Sequence, residues 1–355
     1  LHSFPTRRSS DLKYLNFASN DYLGLASSPE VRKKVAANFA KFGTSSSSSR
    51  LVSGNYGIIS RAEDAYARYF GYGQALFFPS SYQANIGLIS GLFDQENIII
   101  FDKHIHASSV KGIGMSRASF FGYNHNNMPH LARRLEANAD RNPAVLTEAL
   151  FSMDGDMLDV EGLDRLKKRY DFLTIVDEAH SFGALGPGGR GIGRTVADVA
   201  VGTFGKAFAL FGAFVLMPEG FKEYLFNFSS PLIYSTTLPE AHAASAIDIL
   251  DIVQNSGHRR RKLRHISGYM KERLQEEGFK TYGDAHILAV EIGEEELAVA
   301  VAGRMRDKGI FVFPARFPTV PLHKAILRIS MTARHTDRDA ACFIDKLKEA
   351  IHCET

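Results

Sequence analysis

Thr174-Ile175-Val176-Asp177-Glu178-Ala179-His180-Ser181-Phe182-Gly183, followed downstream by Val201-Gly202-Thr203-Phe204-Gly205-Lys206-Ala207-Phe208, is the stretch that decides how this chain reads. A short apolar run ends in Asp177, His180 follows three residues later, and Lys206 lies in a Thr-Phe-Gly-Lys turn. An acid, a histidine and a lysine at the edges of buried strands are the groups a pyridoxal 5'-phosphate site needs. The lysine forms a Schiff base with the aldehyde. The acid sits against the pyridine nitrogen and keeps it protonated, so that the ring can accept electrons from a carbanion.

The runs around this stretch alternate between β-rich and helical patterns, which predicts an α/β fold with a mostly parallel sheet covered by helices. Strands are expected at Ala75–Phe78, Ile98–Phe101, Ala144–Thr147, Leu173–Val176, Asp198–Val201 and Gly212–Met217, with helices at Ser81–Leu92 and around Ser108–Met115. A long amphipathic helix begins near Pro239. Beyond it the rhythm changes to a small α+β domain, with strands at Ala285–Ile292, Ile310–Val312 and Ile326–Met331 and a closing helix at Asp337–Ile351. The expected organisation is an N-terminal segment over 13–44, a large cofactor-binding domain over 45–238 and a small C-terminal domain over 239–355. Residues 1–12, LHSFPTRRSSDL, have no signal-peptide apolar core, break from the pattern that follows and read as a non-native artefact.

At 355 residues the chain suits one large α/β domain plus a smaller one. A formal charge of +3 is too small to argue for nucleic acid or a membrane surface, and no apolar run reaches the ~18 residues of a membrane span. Cys342 and Cys353 give neither a disulfide framework nor metal spacing, so a cytoplasmic location is expected.

Pro79-Ser80-Ser81-Tyr82-Gln83-Ala84-Asn85 joins a strand to a helix. Backbone N–H groups at such a helix start bind an anion, here the cofactor phosphate, although the same residues alone would also make an ordinary cap. Thr203, three residues before the lysine, can add a hydroxyl to that phosphate. His104 and His106 have the spacing of a metal pair but no third ligand of suitable type nearby, so no metal is expected. The better reading sets the His106 ring over the pyridine, with His180 reaching the phenolic oxygen. Gly186-Pro187-Gly188-Gly189-Arg190-Gly191 matches G-x-G-x-x-G, but it does not join a strand directly to a helix and is expected to be a flexible loop. Arg328, in the strand-like run Leu327-Arg328-Ile329-Ser330, suits a bidentate grip on a carboxylate and equally suits a surface ion pair.

Taken together, the chain resembles the α-oxoamine synthases, a group of fold type I pyridoxal phosphate enzymes, from about Tyr14 to Ile351. The residues that carry the resemblance are Ser19–Leu25 (SNDYLGL), Ser49–Gly54 (SRLVSG), His106–Ser108 (HAS), Phe151–Asp156 (FSMDGD), Val176–His180 (VDEAH), Gly202–Lys206 (GTFGK), Tyr234–Thr236 (YST) and Pro318–Pro321 (PTVP). The resemblance implies a large domain with a mostly parallel seven-stranded sheet between helices and a smaller C-terminal α+β domain. It makes Lys206 the Schiff-base lysine, Asp177 the pyridinium partner, His106 the stacking ring and His180 the phenolic-oxygen contact. It also implies that Ser81 and Tyr82 bind phosphate through their backbones and Thr203 through its hydroxyl. Thr236 would reach the neighbouring subunit's phosphate in a homodimer that shares its active sites. Asn20 and Arg328 would hold an amino-acid carboxylate, with Ser152 and Glu148 lining the site.

Within the group the resemblance points to decarboxylative condensation of L-alanine with pimeloyl-CoA or a pimeloyl-acyl carrier protein, a step of biotin biosynthesis. The alternatives are activities of the glycine C-acetyltransferase, 5-aminolevulinate synthase or serine palmitoyltransferase type, a transaminase, or a non-catalytic paralogue. Several positions depart from the group's pattern. Thr44–Ser48 replaces a glycine-rich run, Ala209 and Phe211 replace small residues after the lysine, His125-Asn126-Asn127 replaces H-N-D, and His323 stands where a glycine is usual. Because serine lacks the freedom of glycine at positive φ, the Ser45–Ser49 loop is expected to be shaped differently.

Overall fold

The computed structural model describes residues 14–352; the expected artefact at 1–12 lies outside them. The chain divides into two compact units. The larger comprises Asp21–Ser152 and Asp156–Arg261. Within the described residues the smaller comprises 14–20, Met153–Gly155 and 262–352. The boundary expected at 238/239 falls inside the larger unit, because helix Glu240–Gln254 packs on helices Pro29–Phe42 and Gly57–Phe70. Lys34 and Asn38 on the first of these bond Asp248 on the long helix. Residues 21–44 likewise belong with the larger unit.

The larger unit is built on a seven-stranded sheet in the order Gln74–Phe78, Ala213–Met217, Val199–Thr203, Leu173–Asp177, Pro143–Glu148, Ile98–Asp102, Ser119–Tyr123. Ala213–Met217 runs antiparallel to both neighbours, and the other pairs are parallel. Pro143–Glu148, Val199–Thr203 and Ala213–Met217 are buried at every position, as strands covered on both faces must be. The six strands expected from sequence are all present, with ends shifted by a residue or two. The edge strand Ser119–Tyr123 was not foreseen, because Phe120 and Phe121 point to solvent and the run lacks a buried signature.

The helix expected at Ser81–Leu92 has those bounds. The Ser80 hydroxyl caps it by accepting the Gln83 N–H at 3.2 Å. Asp159 caps Val160–Arg169 in the same way. The parallel strands all present their carboxyl ends to one edge of the sheet, where ligands bind in open α/β folds. Asp102, Glu148, Asp177 and Thr203 are the last residues of four adjacent strands there.

The smaller unit holds a four-stranded antiparallel sheet in the order Phe313–Ala315, Ala325–Ser330, Ile287–Gly293, Thr281–Tyr282, with helices Glu295–Asp307 and Asp337–His352. Leu15–Asn16 pairs in parallel with Ile310–Phe311, a contact that the expected strand Ile310–Val312 did not anticipate.

Candidate active site

Asp177 ends the central strand half-buried and tightly held. Its Oδ1 accepts the Ala179 N–H at 2.9 Å and its Oδ2 accepts Asn85 Nδ2 at 2.9 Å. Asn85 lies one turn into the helix that begins at Ser81, and the same amide reaches Ser108 Oγ at 2.9 Å. The helix whose start presents the Ser81 and Tyr82 N–H groups is therefore fastened to the acid. Those first-turn N–H groups have no preceding helical carbonyl to bind, a geometry that can receive an anion.

His106 caps helix Ala107–Met115, and its Nδ1 accepts from the Ser108 N–H at 3.2 Å and lies 2.7 Å from Ser108 Oγ. With Nδ1 accepting, the neutral ring carries its proton on Nε2. Desolvation lowers the His106 pKa, Asp177 opposes this and Lys206 reinforces it, so the imidazole stays neutral at physiological pH. The residue is nevertheless exposed. Its backbone N–H is held by Glu148, which lies beside Asp177 in parallel register. Burial, helped by the Asp177 charge and opposed by Lys206, pushes the Glu148 carboxyl well above the usual range. Asp177, His106, Glu148 and Lys206 thus share one electrostatic environment.

His180 is buried, with Nδ1 2.5 Å from the hydroxyl of the fully buried Tyr22. Thr203 Oγ1 accepts the Gly205 N–H at 3.2 Å and donates to Gly212 O at 3.3 Å, which shapes the turn that presents Lys206. Lys206 itself is half-buried. Ser152 is half-buried just past Phe151, and Thr236 is exposed next to Thr237. The segment at Thr237 is tied to the serine run through Thr237 N to Ser48 O at 3.0 Å and Ser46 Oγ to Thr237 O at 2.8 Å.

In the smaller unit Arg328 is buried. Its Nη1 donates to Ser330 Oγ at 2.7 Å, and Asn20 Oδ1 accepts from its two terminal nitrogens at 3.4 and 3.3 Å. Arg328 is not a surface residue.

One expectation needs correction. The glycine-rich run 186–191 is a folded turn rather than a loose loop. Glu178 accepts the Gly193 N–H at 2.6 Å and the Ile192 N–H at 3.3 Å, Gly183 N reaches Gly189 O at 2.8 Å, and a Cβ on Gly186 would sit 1.8 Å from Gly191 O. His104 stacks on His125 with ring centroids 4.0 Å apart, so its spacing from His106 reflects a packing role. Sequence reading passed over Asn85 and Tyr22. Both lie inside quoted motifs, but their partners are 92 and 158 residues away, a separation no local pattern encodes.

The sequence profile of the aminotransferase class I and II family matches residues 13–347. An 8-amino-7-oxononanoate synthase of Chlorobaculum parvum is 37% identical over 332 residues, covering 90% of this chain and 85% of that protein. Among solved structures, a serine palmitoyltransferase of S. paucimobilis with PLP and myriocin bound superposes with a TM-score of 0.90 at 27% identity, over 95% of this chain and 87% of that one. An 8-amino-7-oxononanoate synthase of Francisella tularensis superposes with a TM-score of 0.82 at 28% identity, over 95% and 98% of the two chains.

Proposed function

This chain belongs to the aminotransferase class I and II family, in its α-oxoamine synthase branch, and from that premise we propose that it is a pyridoxal phosphate enzyme joining L-alanine to a pimeloyl thioester, with loss of CO2, to give 8-amino-7-oxononanoate for biotin biosynthesis. The observation that carries the reading is the set Asp177, Asn85, Ser108, His106 and Lys206 at the carboxyl ends of the parallel strands, in a chain 37% identical to a named synthase.

The donor set fits the cofactor. Asp177 offers a fixed carboxylate to a pyridinium nitrogen, and His106 offers a neutral ring on an exposed residue. The first turn at Ser81 and Tyr82 offers donors to a phosphate, the Thr203 hydroxyl can turn to it from Gly212 O, and Lys206 offers a primary amine to an aldehyde. When bound, the cofactor supplies an electron sink for the carbanion formed at Cα of the amino acid.

The protein's part is to place and move protons around that sink. The Asp177 carboxylate, fixed in place by its two donors, would sit against the pyridinium nitrogen. His106 Nε2–H is a donor beside the stacked ring. His180, oriented by Tyr22, takes the phenolic-oxygen contact. Lys206 Nζ is the amine that would remove the alanine Cα proton, a role suited to a half-buried lysine whose basicity desolvation can tune. Arg328, pre-oriented by Ser330 and Asn20, is the proposed partner of the amino-acid carboxylate, and an arginine already ordered by these contacts loses little freedom on binding. Ser152 is assigned to the cofactor's surroundings.

The acyl carrier is coenzyme A or an acyl carrier protein. The working unit is a homodimer, with Thr236 reaching the second subunit's phosphate. Tyr234 at 83% exposure and Val52 at 80% are large apolar side chains suited to burial against a second copy. Among the described residues no helix is long and apolar enough to cross a membrane, and the expected location remains the cytoplasm.

The superposition on serine palmitoyltransferase makes condensation with L-serine the second reading. The test is to load the protein with pyridoxal phosphate and record its visible spectrum with L-alanine, glycine and L-serine, before and after pimeloyl-CoA. A thioester-dependent change with L-alanine alone supports the proposal. A response confined to L-serine or glycine transfers the chain to a sister activity, and no cofactor band at all overturns the enzyme reading.

A further inference from the structure

His125 is held between two carboxylates. Its Nδ1 lies 2.9 Å from Asp102 Oδ1 and its Nε2 lies 2.7 Å from Asp156 Oδ2. Both ring nitrogens face acceptors, so the arrangement is satisfied by an imidazolium, which donates from each. The next residue completes the clamp. Asn126 N–H reaches Asp102 Oδ2 at 2.8 Å, and its amide reaches Asp156 Oδ2 at 3.2 Å and Met157 O at 2.7 Å. Asn126 sits at φ +51°, a conformation asparagine tolerates better than most residues, and it is this turn that aims both groups at the acids.

The clamp joins two segments that the proposed site uses. Asp102, fully buried at a strand end, also accepts the His104 N–H at 2.8 Å through its side chain, and its carbonyl accepts the Ile105 N–H at 3.2 Å. It therefore shapes the turn that delivers His106. The His104 ring is stacked on His125 at an interplanar angle of 9°. On the other side, Asp156 O accepts the Phe151 N–H at 3.0 Å, and the Phe151 ring meets His125 edge-on at 4.4 Å. Phe151 immediately precedes Ser152.

We propose that the Asp102–His125–Asp156 clamp is the positioning device for His106, locking the turn 102–106 to the segment at Phe151–Ser152 so that the imidazole plane is set before the cofactor binds. This rests on the assignment of His106 to the cofactor ring. His125 is a positioning residue: it acts through Asp102 and the turn, and removing it lets the His106 ring tilt rather than removing a reacting group. Misplacement of a catalytic group by about 1 Å costs on the order of a hundredfold in rate.

The experiment compares the cofactor-loaded wild type with H125Q, H125R and D156N. Visible circular dichroism of the bound cofactor, which reads ring orientation without any turnover, is recorded beside kcat and KM for L-alanine and pimeloyl-CoA. H125Q is expected to lower kcat about ten- to a hundredfold with KM changed less than threefold, and to alter the visible dichroism. H125R keeps a cation with forked donors and is expected to recover about tenfold of that loss. D156N leaves the bond to Asp102 in place and disturbs only one arm of the clamp, and it is expected to show the same dichroic change with a smaller kcat loss. Unchanged dichroism and kcat within twofold in D156N, or a cofactor-loaded H125Q indistinguishable from wild type, overturns the proposal. If the wild type binds cofactor but does not condense alanine, the functional reading fails while the dichroism still decides whether the clamp orients the site.

Discussion

Replacing Glu63 with alanine should be among the most destabilising single changes in the larger unit. Glu63 is fully buried on helix Gly57–Phe70. Its carboxylate pairs with both terminal nitrogens of Arg50, which is itself buried, contacts Lys222 Nζ at 2.7 Å and accepts the Phe77 N–H at 2.8 Å. Arg50 also reaches Asn55 Oδ1 at 2.7 Å. The alanine variant leaves a buried guanidinium, a mostly buried ammonium and an orphaned backbone N–H. Breaking a buried pair from one side costs about 3–5 kcal/mol, and the stranded N–H adds about 1–3 kcal/mol. Relaxation and water entry recover part of this, so a loss of about 4 kcal/mol is expected. R50A should cost about 3 kcal/mol by the same reasoning, but R50A/E63A should fall short of the sum by at least about 1.5 kcal/mol, because the second change removes a charge the first had stranded. The chain has no tryptophan, so urea unfolding of the cofactor-loaded protein is best followed by circular dichroism. A coupling below about 0.5 kcal/mol would refute the reasoning and reduce the network to independent contacts. The consequence reaches the proposed site, since Arg50 anchors the 45–54 loop and Phe77 lies in the strand that feeds the Ser81 turn.

Ala209 stands at φ +52° three residues past Lys206, so A209G should stabilise the protein by up to about 1 kcal/mol, the relief of the left-handed cost less the extra freedom glycine has when unfolded; a loss of stability in thermal melts would count against it. Burial alone would lower the His125 pKa, but the hydrogen bonds and charges of Asp102 and Asp156 outweigh it and raise it from 6.5 to about 10. The stabilisation is therefore complete below about pH 6.5 and is lost as pH rises towards 10, so urea midpoints should fall across that window in wild type and fall less in H125Q. Y22F removes the hydroxyl that bonds His180 Nδ1 and should lower kcat about tenfold with little change in unfolding midpoint, whereas unchanged kcat would show that His180 needs no orienting partner.

The strands of the main sheet were legible because strands buried on both faces are written as unbroken apolar runs, and the catalytic candidates because they follow those runs directly. What escaped depends on contacts distant in sequence. The unit boundary was misplaced because helix Glu240–Gln254 packs backwards onto Pro29–Phe42, and nothing local announces that. The glycine-rich run looked loose because its order comes from Glu178, whose side chain collects N–H groups from Ile192 and Gly193. Three of the positions that depart from the group's pattern have left-handed backbone. Ser47, Ala209 and His323 lie at φ +52°, +52° and +60°. At these places a residue with a side chain bears the cost of positive φ. At Ser47 that cost is partly offset by the bond from its N–H to Ser45 Oγ at 3.0 Å.

The central claim is that Lys206, facing Asp177 and His106, makes this chain a condensing enzyme. The direct measurement is the release of labelled CO2 from carboxyl-labelled L-alanine by the cofactor-loaded protein with pimeloyl-CoA or a pimeloyl-acyl carrier protein, beside K206A. CO2 and aminoketone are expected in equal amounts, dependent on the thioester and abolished in K206A. Cofactor-loaded wild-type protein that releases no CO2 with either carrier, or K206A that releases as much as wild type, would contradict that claim.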